Sequence, residues 1–182
     1  GFSVSFRGAC HLRNGAYSPD VKGKVNRFKI EPGRGKIITD ESKMYNIIDS
    51  LIVCKFSMGT YYDGWKDLAN YYTLATGLPM TTEDRATAGD RIENLARMFN
   101  IREGKGTRKN DTLPWKIENT PVPDDGPAKG VVVSEDEFQV GLSDYYASRG
   151  WSANGIPTAA KLQELGLGDL IPLAELAEQR GA

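Results

Sequence analysis

The spacing of apolar residues predicts a chain built from helices. Apolar side chains recur three and four positions apart over six stretches, which is the spacing of one face of an α-helix. The predicted helices run from about Thr39 to Phe56, from Asp63 to Ala75, from Thr82 to Gly104, from Ser134 to Gly150, from Thr158 to Gly166, and from Pro172 onward. The β-branched run Val131–Val133 is too short to anchor a sheet. The pattern therefore predicts an all-α, multihelical fold.

Two segments lack this spacing. Residues 1–38 are rich in glycine, asparagine, proline and serine, and an irregular segment of this length needs another part of the protein to lie against. Residues 105–130 carry four prolines and should form an ordered but irregular crossing. We therefore predict one helical domain over residues 1–182. Its irregular N-terminal segment precedes a first helical group at 39–104, and a second group follows the crossing at 131–182.

Composition excludes several classes of protein. The 23 Lys and Arg residues nearly balance 24 Asp and Glu residues, so the chain has no general attraction to nucleic acid or to a membrane surface. No apolar run approaches the roughly 20 residues that a membrane-spanning helix needs. Two cysteines are too few for a secreted disulfide scaffold of this length. These features predict a soluble protein of the reducing cytoplasm, with no export signal.

The first segment concentrates positive charge. Eight cations stand against two anions over residues 1–36, so this segment either holds an anion or forms a solvated basic surface. Its Arg7–Arg13 stretch contains Cys10 and the one histidine of the chain, His11, between two arginines. That setting suits an anionic group or a metal-bound group better than a core position. A self-contained zinc site is not indicated, because four ligands at credible spacing are lacking.

A carboxylate and a thiol lie five residues apart in the stretch from Asp49 to Cys54. On a continuous helix the two side chains would point about 140° apart, so a joint role requires the helix to end or bend near Ile52. A carboxylate within an apolar run must find hydrogen-bond donors or raise its pKa. The alternatives are a solvated Asp49 and an inert, buried Cys54 thiol.

A third stretch, Arg91–Gly104, has the apolar spacing of a core helix, which assigns Ile92, Leu95 and Phe99 to the interior. Its polar end at residues 102–104 could border a cavity.

Five collinear segments together resemble the aldehyde ferredoxin oxidoreductase family. They are Arg7–Arg13, Asp49–Phe56, Arg91–Gly104, Asp111–Pro114 and Tyr145–Thr158, and the resemblance extends from Arg7 to about Leu167. In that family, tungsten or sometimes molybdenum is held by two pterins, and a nearby 4Fe-4S cluster passes electrons to ferredoxin. The resemblance implies the family's C-terminal helical portion and the oxidation of aldehydes to carboxylic acids.

The resemblance also implies roles for individual residues. Asp49 matches an aspartate that bonds pterin nitrogens, and Cys54 matches the fourth cysteine ligand of the cluster. The family's usual Gly-Leu is Ile52-Val53 here, which keeps a backbone contact at Val53 but calls the turn geometry into question.

In the first segment, His11 matches the active-site histidine beside the metal, where its imidazole can polarise the aldehyde or exchange a proton. Arg13 is expected to direct positive charge toward a pterin.

The 182 residues lack counterparts of the family's other three cluster cysteines and of its N-terminal pterin-binding domain. The chain is therefore expected to be a fragment or one polypeptide of a divided enzyme. Its expected partners are the missing domains, ferredoxin and a small aldehyde. Two alternatives remain. One is a non-catalytic helical subunit or binding domain, and the other is a family relative with another substrate, such as a benzoyl-coenzyme A reductase subunit.

Overall fold

A computed structural model describes residues 1–62, 64–123 and 125–180, apart from the side chain of Trp65. The described part of the chain contains eight α-helices and three single 3-10 turns. They are α1 (Tyr17–Val21), α2 (Arg34–Ser50), α3 (Gly64–Thr76), α4 (Thr82–Arg102), α5 (Trp115–Asn119), α6 (Glu135–Arg149), α7 (Ala159–Glu164) and α8 (Ile171–Gln179). The described residues form isolated β-bridges but no strand, which confirms the all-α prediction.

Helix α2 lies at the centre, between α4 on one side and α6 on the other. Two glycines allow this close packing. A Cβ atom on Gly35 of α2 would clash with α6, at 2.4 Å from the Tyr145 nitrogen. A Cβ atom on Gly89 of α4 would clash with α2, at 2.4 Å from the Lys43 oxygen. Apolar residues of α6, including Phe138 and Leu142, form one core cluster. Separate clusters join α4 to α8 and α2 to α3.

A buried polar network also ties the three central helices together. Arg149 of α6 is 1% exposed, and its Nη1 lies 2.9 Å from Asp90 Oδ1 of α4. Asn46 of α2 donates from Nδ2 to Glu93 Oε2 of α4 at 2.8 Å. Burial of these charges requires such partners, since an unpaired buried charge is strongly unfavourable. The network holds α2 against its neighbours over the helical turns that precede Asp49.

Helix boundaries follow the capping signals with a few differences. Thr158 caps α7, Gly150 ends α6 in the left-handed conformation, and Ser134 accepts from Glu137 N at the start of α6. The cap of α4 is Thr81, one residue before the predicted Thr82, and it forms a capping box with Asp84. Asp63, predicted to cap α3, lies outside the described residues.

The irregular segments contain more structure than predicted. Helix α2 begins at Arg34, before the predicted Thr39, and the short helix α1 interrupts the N-terminal segment. The proline-rich crossing holds α5, which begins directly after Pro114. A proline at that position is tolerated because the first helical N–H groups need no partner within the helix.

Within the described residues, no helix combines the length and the apolar character needed to cross a membrane.

Candidate functional site

Helix α2 ends inside the Asp49–Cys54 stretch, as a joint role for those residues requires. The N–H of Val53 donates to the Ile48 carbonyl at 3.2 Å, and the N–H of Ile52 donates to the Asp49 carbonyl at 3.2 Å. This pair of bonds is the Schellman arrangement, in which the residue after the helix adopts the left-handed conformation. That residue is Ile52, with φ of 59°. The predicted helix end near Phe56 is wrong, since α2 stops at Ser50.

Asp49 lies at the last turn of α2 and is held between two cations. One carboxylate oxygen accepts from Arg13 Nη1, and the other accepts from Lys55 Nζ. The side chain of Asp49 keeps 29% of its surface exposed, whereas those of Arg13 and Lys55 keep 9% and 13%. The expected donors for this carboxylate are therefore present. They come from both sides of the sequence, the N-terminal segment and the turn after α2.

Arg13 anchors the N-terminal segment on α2. Its Nη2 donates to Asn46 Oδ1 at 2.7 Å, and its guanidinium lies 4.2 Å from the centre of the Phe6 ring. Burial lowers the pKa of Arg13, and the nearby Asp49 carboxylate opposes that shift. Among the residues that the structure describes, none is a hydrogen-bond partner of the buried Arg13 Nε. Arg13 is therefore a buried cation held in place mainly by Asp49 and Asn46.

A run of aromatic contacts leads from Lys55 to His11. The Lys55 Nζ lies 5.3 Å from the centre of the Tyr45 ring. Burial, together with the hydroxyl of Tyr17, raises the pKa of Tyr45 to about 12. The Tyr17 ring in turn meets the His11 ring edge-on, with centroids 6.2 Å apart. His11 itself is exposed, so its imidazole is accessible at the end of this run.

Both cysteines are free thiols, and they differ in their surroundings. Cys54 is exposed, and its backbone carbonyl accepts from the Tyr62 hydroxyl at 3.1 Å. Cys10 is partly buried, and Arg7 Nη2 lies 3.2 Å from its sulfur. The hydrogen bond from Arg7 lowers the pKa of the Cys10 thiol. The buried position considered for the Cys54 thiol is thus wrong, whereas its reactivity stays a prediction.

A shallow depression of about 520 Å³ adjoins Asp49. Arg13 and Asp49 lie at its polar side, and Phe6, Leu95 and Phe99 line its apolar side. Leu95 and Phe99 are 51% and 54% exposed, so their assignment to the interior is wrong. The helical spacing of α4 was correct, but Leu95 and Phe99, together with Ile92 and Ala96 of the same helix, line this depression. The sequence alone could not separate an apolar face that meets the core from one that meets a cavity.

The polar end of α4 borders a smaller cavity of about 130 Å³, lined by Arg102 and Gly104 together with residues of α8. This agrees with the prediction for residues 102–104.

Comparison with known proteins decides the family. The family model described as aldehyde ferredoxin oxidoreductase, domains 2 and 3, matches residues 1–167. This chain belongs to the aldehyde ferredoxin oxidoreductase family. The tungsten-containing aldehyde ferredoxin oxidoreductase of Pyrococcus furiosus is 34% identical over 173 residues, and that of Pyrococcus abyssi is 34% identical over 175. These matches cover 93% and 94% of this chain.

The chain spans only 27–28% of the length of those two oxidoreductases. A solved structure is also similar, the active-site complex BamBC of benzoyl coenzyme A reductase with 1,5-dienoyl-CoA. That match has a TM-score of 0.63 and 25% identity, and it covers 82% of this chain and 21% of the other. The all-α fold and the aldehyde ferredoxin oxidoreductase resemblance are both confirmed.

Sequence reasoning missed two polar residues at this family motif. Lys55 follows Cys54 directly in the sequence, but nothing in its local pattern indicated an ion pair with Asp49. Asn46 is fully buried, accepts a hydrogen bond from Arg13 and donates one to Glu93. Its position one turn before Asp49, on the same helix face, was the available signal.

Within the part of the chain that the structure describes, no three His, Cys, Asp or Glu side chains are grouped to hold a metal ion.

Proposed function

We propose that this chain contributes one wall of the cofactor site in an enzyme that oxidises small aldehydes to carboxylic acids. The enzyme would hold tungsten or molybdenum between two pterins and pass electrons through a 4Fe-4S cluster to ferredoxin. One observation carries the proposal. The family motif ends α2 in a tight turn, with the Asp49 carboxylate held by two cations and an exposed Cys54 thiol five residues later.

The chemistry of this donor set fits a pterin and a cluster. Pterin rings present N–H groups that a carboxylate accepts, and Asp49 is a carboxylate with 29% of its side chain exposed. Cys54 offers one thiol, the ligand that iron–sulfur clusters use. The N–H of Val53 already donates to the Ile48 carbonyl. A backbone contact between Val53 and a cofactor would therefore use the Val53 carbonyl oxygen.

Arg13 and Lys55 prepare Asp49 for this role. Two adjacent cations donate to its two oxygens and so hold the carboxylate in one orientation. Because both oxygens are occupied, a bound pterin must share an oxygen with a cation or displace one. Arg13 is the more firmly held of the two, through Asn46 and the Phe6 ring.

When bound, the metal–pterin group supplies the two-electron redox chemistry. The overall reaction is RCHO + H2O → RCOOH + 2 H⁺ + 2 e⁻. His11 is the proposed catalytic residue, since an accessible imidazole polarises the aldehyde carbonyl as a donor or accepts one of the released protons. Its contact with Tyr17 orients the ring from the N-terminal segment.

The proposed partners follow from the proposed site. They are the other domains of the oxidoreductase, ferredoxin as electron acceptor and a small aldehyde as substrate. We also propose the cytoplasm as the location, supported by the two free cysteines.

The test is to purify, without oxygen, the native oxidoreductase that contains this chain. We expect one tungsten or molybdenum, about four iron atoms per chain, and reduction of ferredoxin that depends on an added aldehyde. A His11→Ala enzyme should keep its metals and lose turnover by about 100-fold or more, the usual contribution of a general acid or base. A purified complex with no metal–pterin, or one whose His11→Ala variant turns over normally, would refute the proposal.

A second candidate has a specific observation in its favour. The structural match to the benzoyl coenzyme A reductase complex allows a reductase with an aromatic thioester substrate on the same fold. The same purified protein discriminates between the two. Electrons moving from an aldehyde to ferredoxin favour the first candidate. Activity with benzoyl-coenzyme A alone favours the second, and a metal-free helical complex would favour a non-catalytic subunit.

A further inference from the structure

A polar cleft lies between the N-terminal segment and the C-terminal end of α4. Its volume is about 420 Å³, and one wall comes from residues between 3 and 8. The opposite wall comes from the end of α4 and the loop that follows it, and it includes Arg97 and Lys105. Asn100 of α4 joins the two walls, because its Nδ2 donates to the Phe6 carbonyl at 2.7 Å. Two distant segments of the sequence therefore form this cleft.

Positive charge exceeds negative charge on the walls of the cleft. Arg97 and Asp111 both line it, but they form a buried ion pair with each other, and Asp111 also accepts from the Tyr146 hydroxyl. Arg7 and Lys105 remain, and neither forms a salt bridge with a carboxylate of the described residues. Two such cations at one open cleft attract an anion, whereas they repel a metal ion.

Two buried polar groups on these walls lack a hydrogen-bond partner among the described residues. One is the Ser5 hydroxyl, whose oxygen is buried. The other is the backbone N–H of Gly106, a buried residue of the loop after α4. Buried hydroxyl and peptide groups are nearly always hydrogen-bonded, since an unsatisfied one is unfavourable. Both groups can donate, so an acceptor bound in the cleft would supply the missing partner.

Gly106 holds the loop close to the last turn of α4. Its φ is 78°, and a Cβ atom there would lie 2.9 Å from Asn100 Cβ and 3.3 Å from the Arg97 carbonyl oxygen. The N–H of the preceding residue, Lys105, donates to the Asn100 carbonyl at 2.8 Å. These contacts fix the backbone of the loop against α4. The loop is thus positioned before any ligand binds, which lowers the entropic cost of binding.

We propose that this cleft binds an oxyanion, and that the oxyanion is a phosphate group. Arg7 and Lys105 supply the positive charge, and Arg7 donates to the Cys10 sulfur from Nη2 alone, so its other nitrogens are available. The Ser5 hydroxyl and the Gly106 N–H supply neutral donors. Four donors from two walls suit the oxygens of phosphate better than the two oxygens of a carboxylate. The volume of the cleft admits inorganic phosphate or a phosphate ester.

Equilibrium dialysis of the native oxidoreductase against radiolabelled inorganic phosphate tests the site. We expect saturable binding with a dissociation constant below about 1 mM. Acetate should compete at least about tenfold more weakly, because it offers one charge and two oxygens. Glycerol phosphate distinguishes the two sources of a phosphate group. Competition at least as strong as that of unlabelled phosphate indicates an ester as the occupant, and weaker competition indicates the free ion.

Variants assign the bound phosphate to this cleft. Lys105→Gln and Arg7→Gln each remove one charged donor, so each should weaken phosphate binding about tenfold or more. Ser5→Ala removes a neutral donor and should weaken it about three- to tenfold. Lys116→Gln removes an exposed cation of α5 outside the cleft, and as the matched control it should bind phosphate normally. Lys105 is also exposed, so both lysine variants should keep the melting temperature of the unaltered protein.

Two results would overturn the site. One is the absence of saturable phosphate binding, and the other is binding by Lys105→Gln and Arg7→Gln that equals binding by the unaltered protein. Acetate that competes as strongly as phosphate would overturn the choice of a phosphate group and assign the cleft to a carboxylate. The metal and the pterin take no part in this site, so metal content and aldehyde turnover test the proposed function separately.

Discussion

Asp49 shows how one carboxylate joins distant parts of the chain. It accepts from Arg13 of the N-terminal segment and from Lys55 of the turn after α2, and Asn46 supports Arg13 from one helical turn earlier. The sequence predicted that a carboxylate in an apolar run needs donors. It could not identify them, because Arg13 is 36 residues away and Lys55 reaches Asp49 only once Ile52 has ended the helix.

Removing the Asp49 carboxylate should destabilise the folded chain. Asp49→Ala leaves Arg13 largely buried without its counter-ion, so we expect a loss of about 2–3 kcal/mol in the free energy of unfolding. Asp40→Ala is the matched control, since the Lys36–Asp40 pair is exposed on the same helix and should contribute less than about 0.5 kcal/mol. Denaturant unfolding measures both. Equal losses would show that the Asp49 pairs are no stronger than a surface pair.

Arg7 should control the ionisation of Cys10. Its hydrogen bond lowers the pKa of the Cys10 thiol, so the thiolate forms at lower pH than in an ordinary cysteine. In a Cys54→Ser background, iodoacetamide alkylation reports Cys10 alone. We expect Arg7→Gln to move the alkylation profile to higher pH, and Lys24→Gln, which removes another cation of the same segment, to leave it in place. A profile unchanged by Arg7→Gln would contradict the assigned cause.

Among the elements, the proline-rich crossing is fixed by one buried ion pair. Asp111 accepts from both Arg97 Nη1 and Nη2 of α4, at 3.0 and 2.6 Å, and from the Tyr146 hydroxyl of α6 at 2.6 Å. Both partners of the ion pair are at least 95% buried. The Asp111–Pro114 segment thereby holds two helices together. Its sequence predicted a crossing, but the partners depended on tertiary packing, which local spacing does not encode.

Loss of Asp111 should weaken the join between α4 and α6. Asp111→Ala leaves Arg97 buried and unpaired, so we expect a loss of about 3–5 kcal/mol in the free energy of unfolding. Tyr146→Phe removes one hydrogen bond and should cost about 1 kcal/mol. Asp125→Ala serves as the control, because the Lys129–Asp125 pair is exposed. An Asp111→Ala loss no larger than that of Asp125→Ala would contradict a structural role for this pair.

At the level of the whole molecule, helical periodicity and capping residues were enough to predict the architecture. Thr158, Ser134 and Gly150 set their helix ends as expected, because capping depends on neighbours in sequence. The periodicity did not predict the end of α2 at Ser50, because Ile52 occupies the left-handed position that glycine usually fills. The site was predictable only through family resemblance, since its ligands converge from distant segments and one cysteine cannot define a cluster.

The chain by itself should hold no metal site of its own. One candidate cluster ligand and one candidate pterin ligand are too few for stable binding, so elemental analysis of the purified chain is expected to find no stoichiometric tungsten, molybdenum or iron. A stoichiometric metal in the isolated chain would require a site that the proposed donor set does not contain.

The most direct test of the central claim compares the two cysteines in the native oxidoreductase. Cys54→Ser and Cys10→Ser enzymes are purified without oxygen and reduced, and the cluster is followed by iron analysis and electron paramagnetic resonance. We predict that Cys54→Ser loses or alters the 4Fe-4S signal, and that Cys10→Ser keeps the signal and its iron. A normal cluster signal in Cys54→Ser, or loss of the signal only in Cys10→Ser, would contradict the role assigned to Cys54.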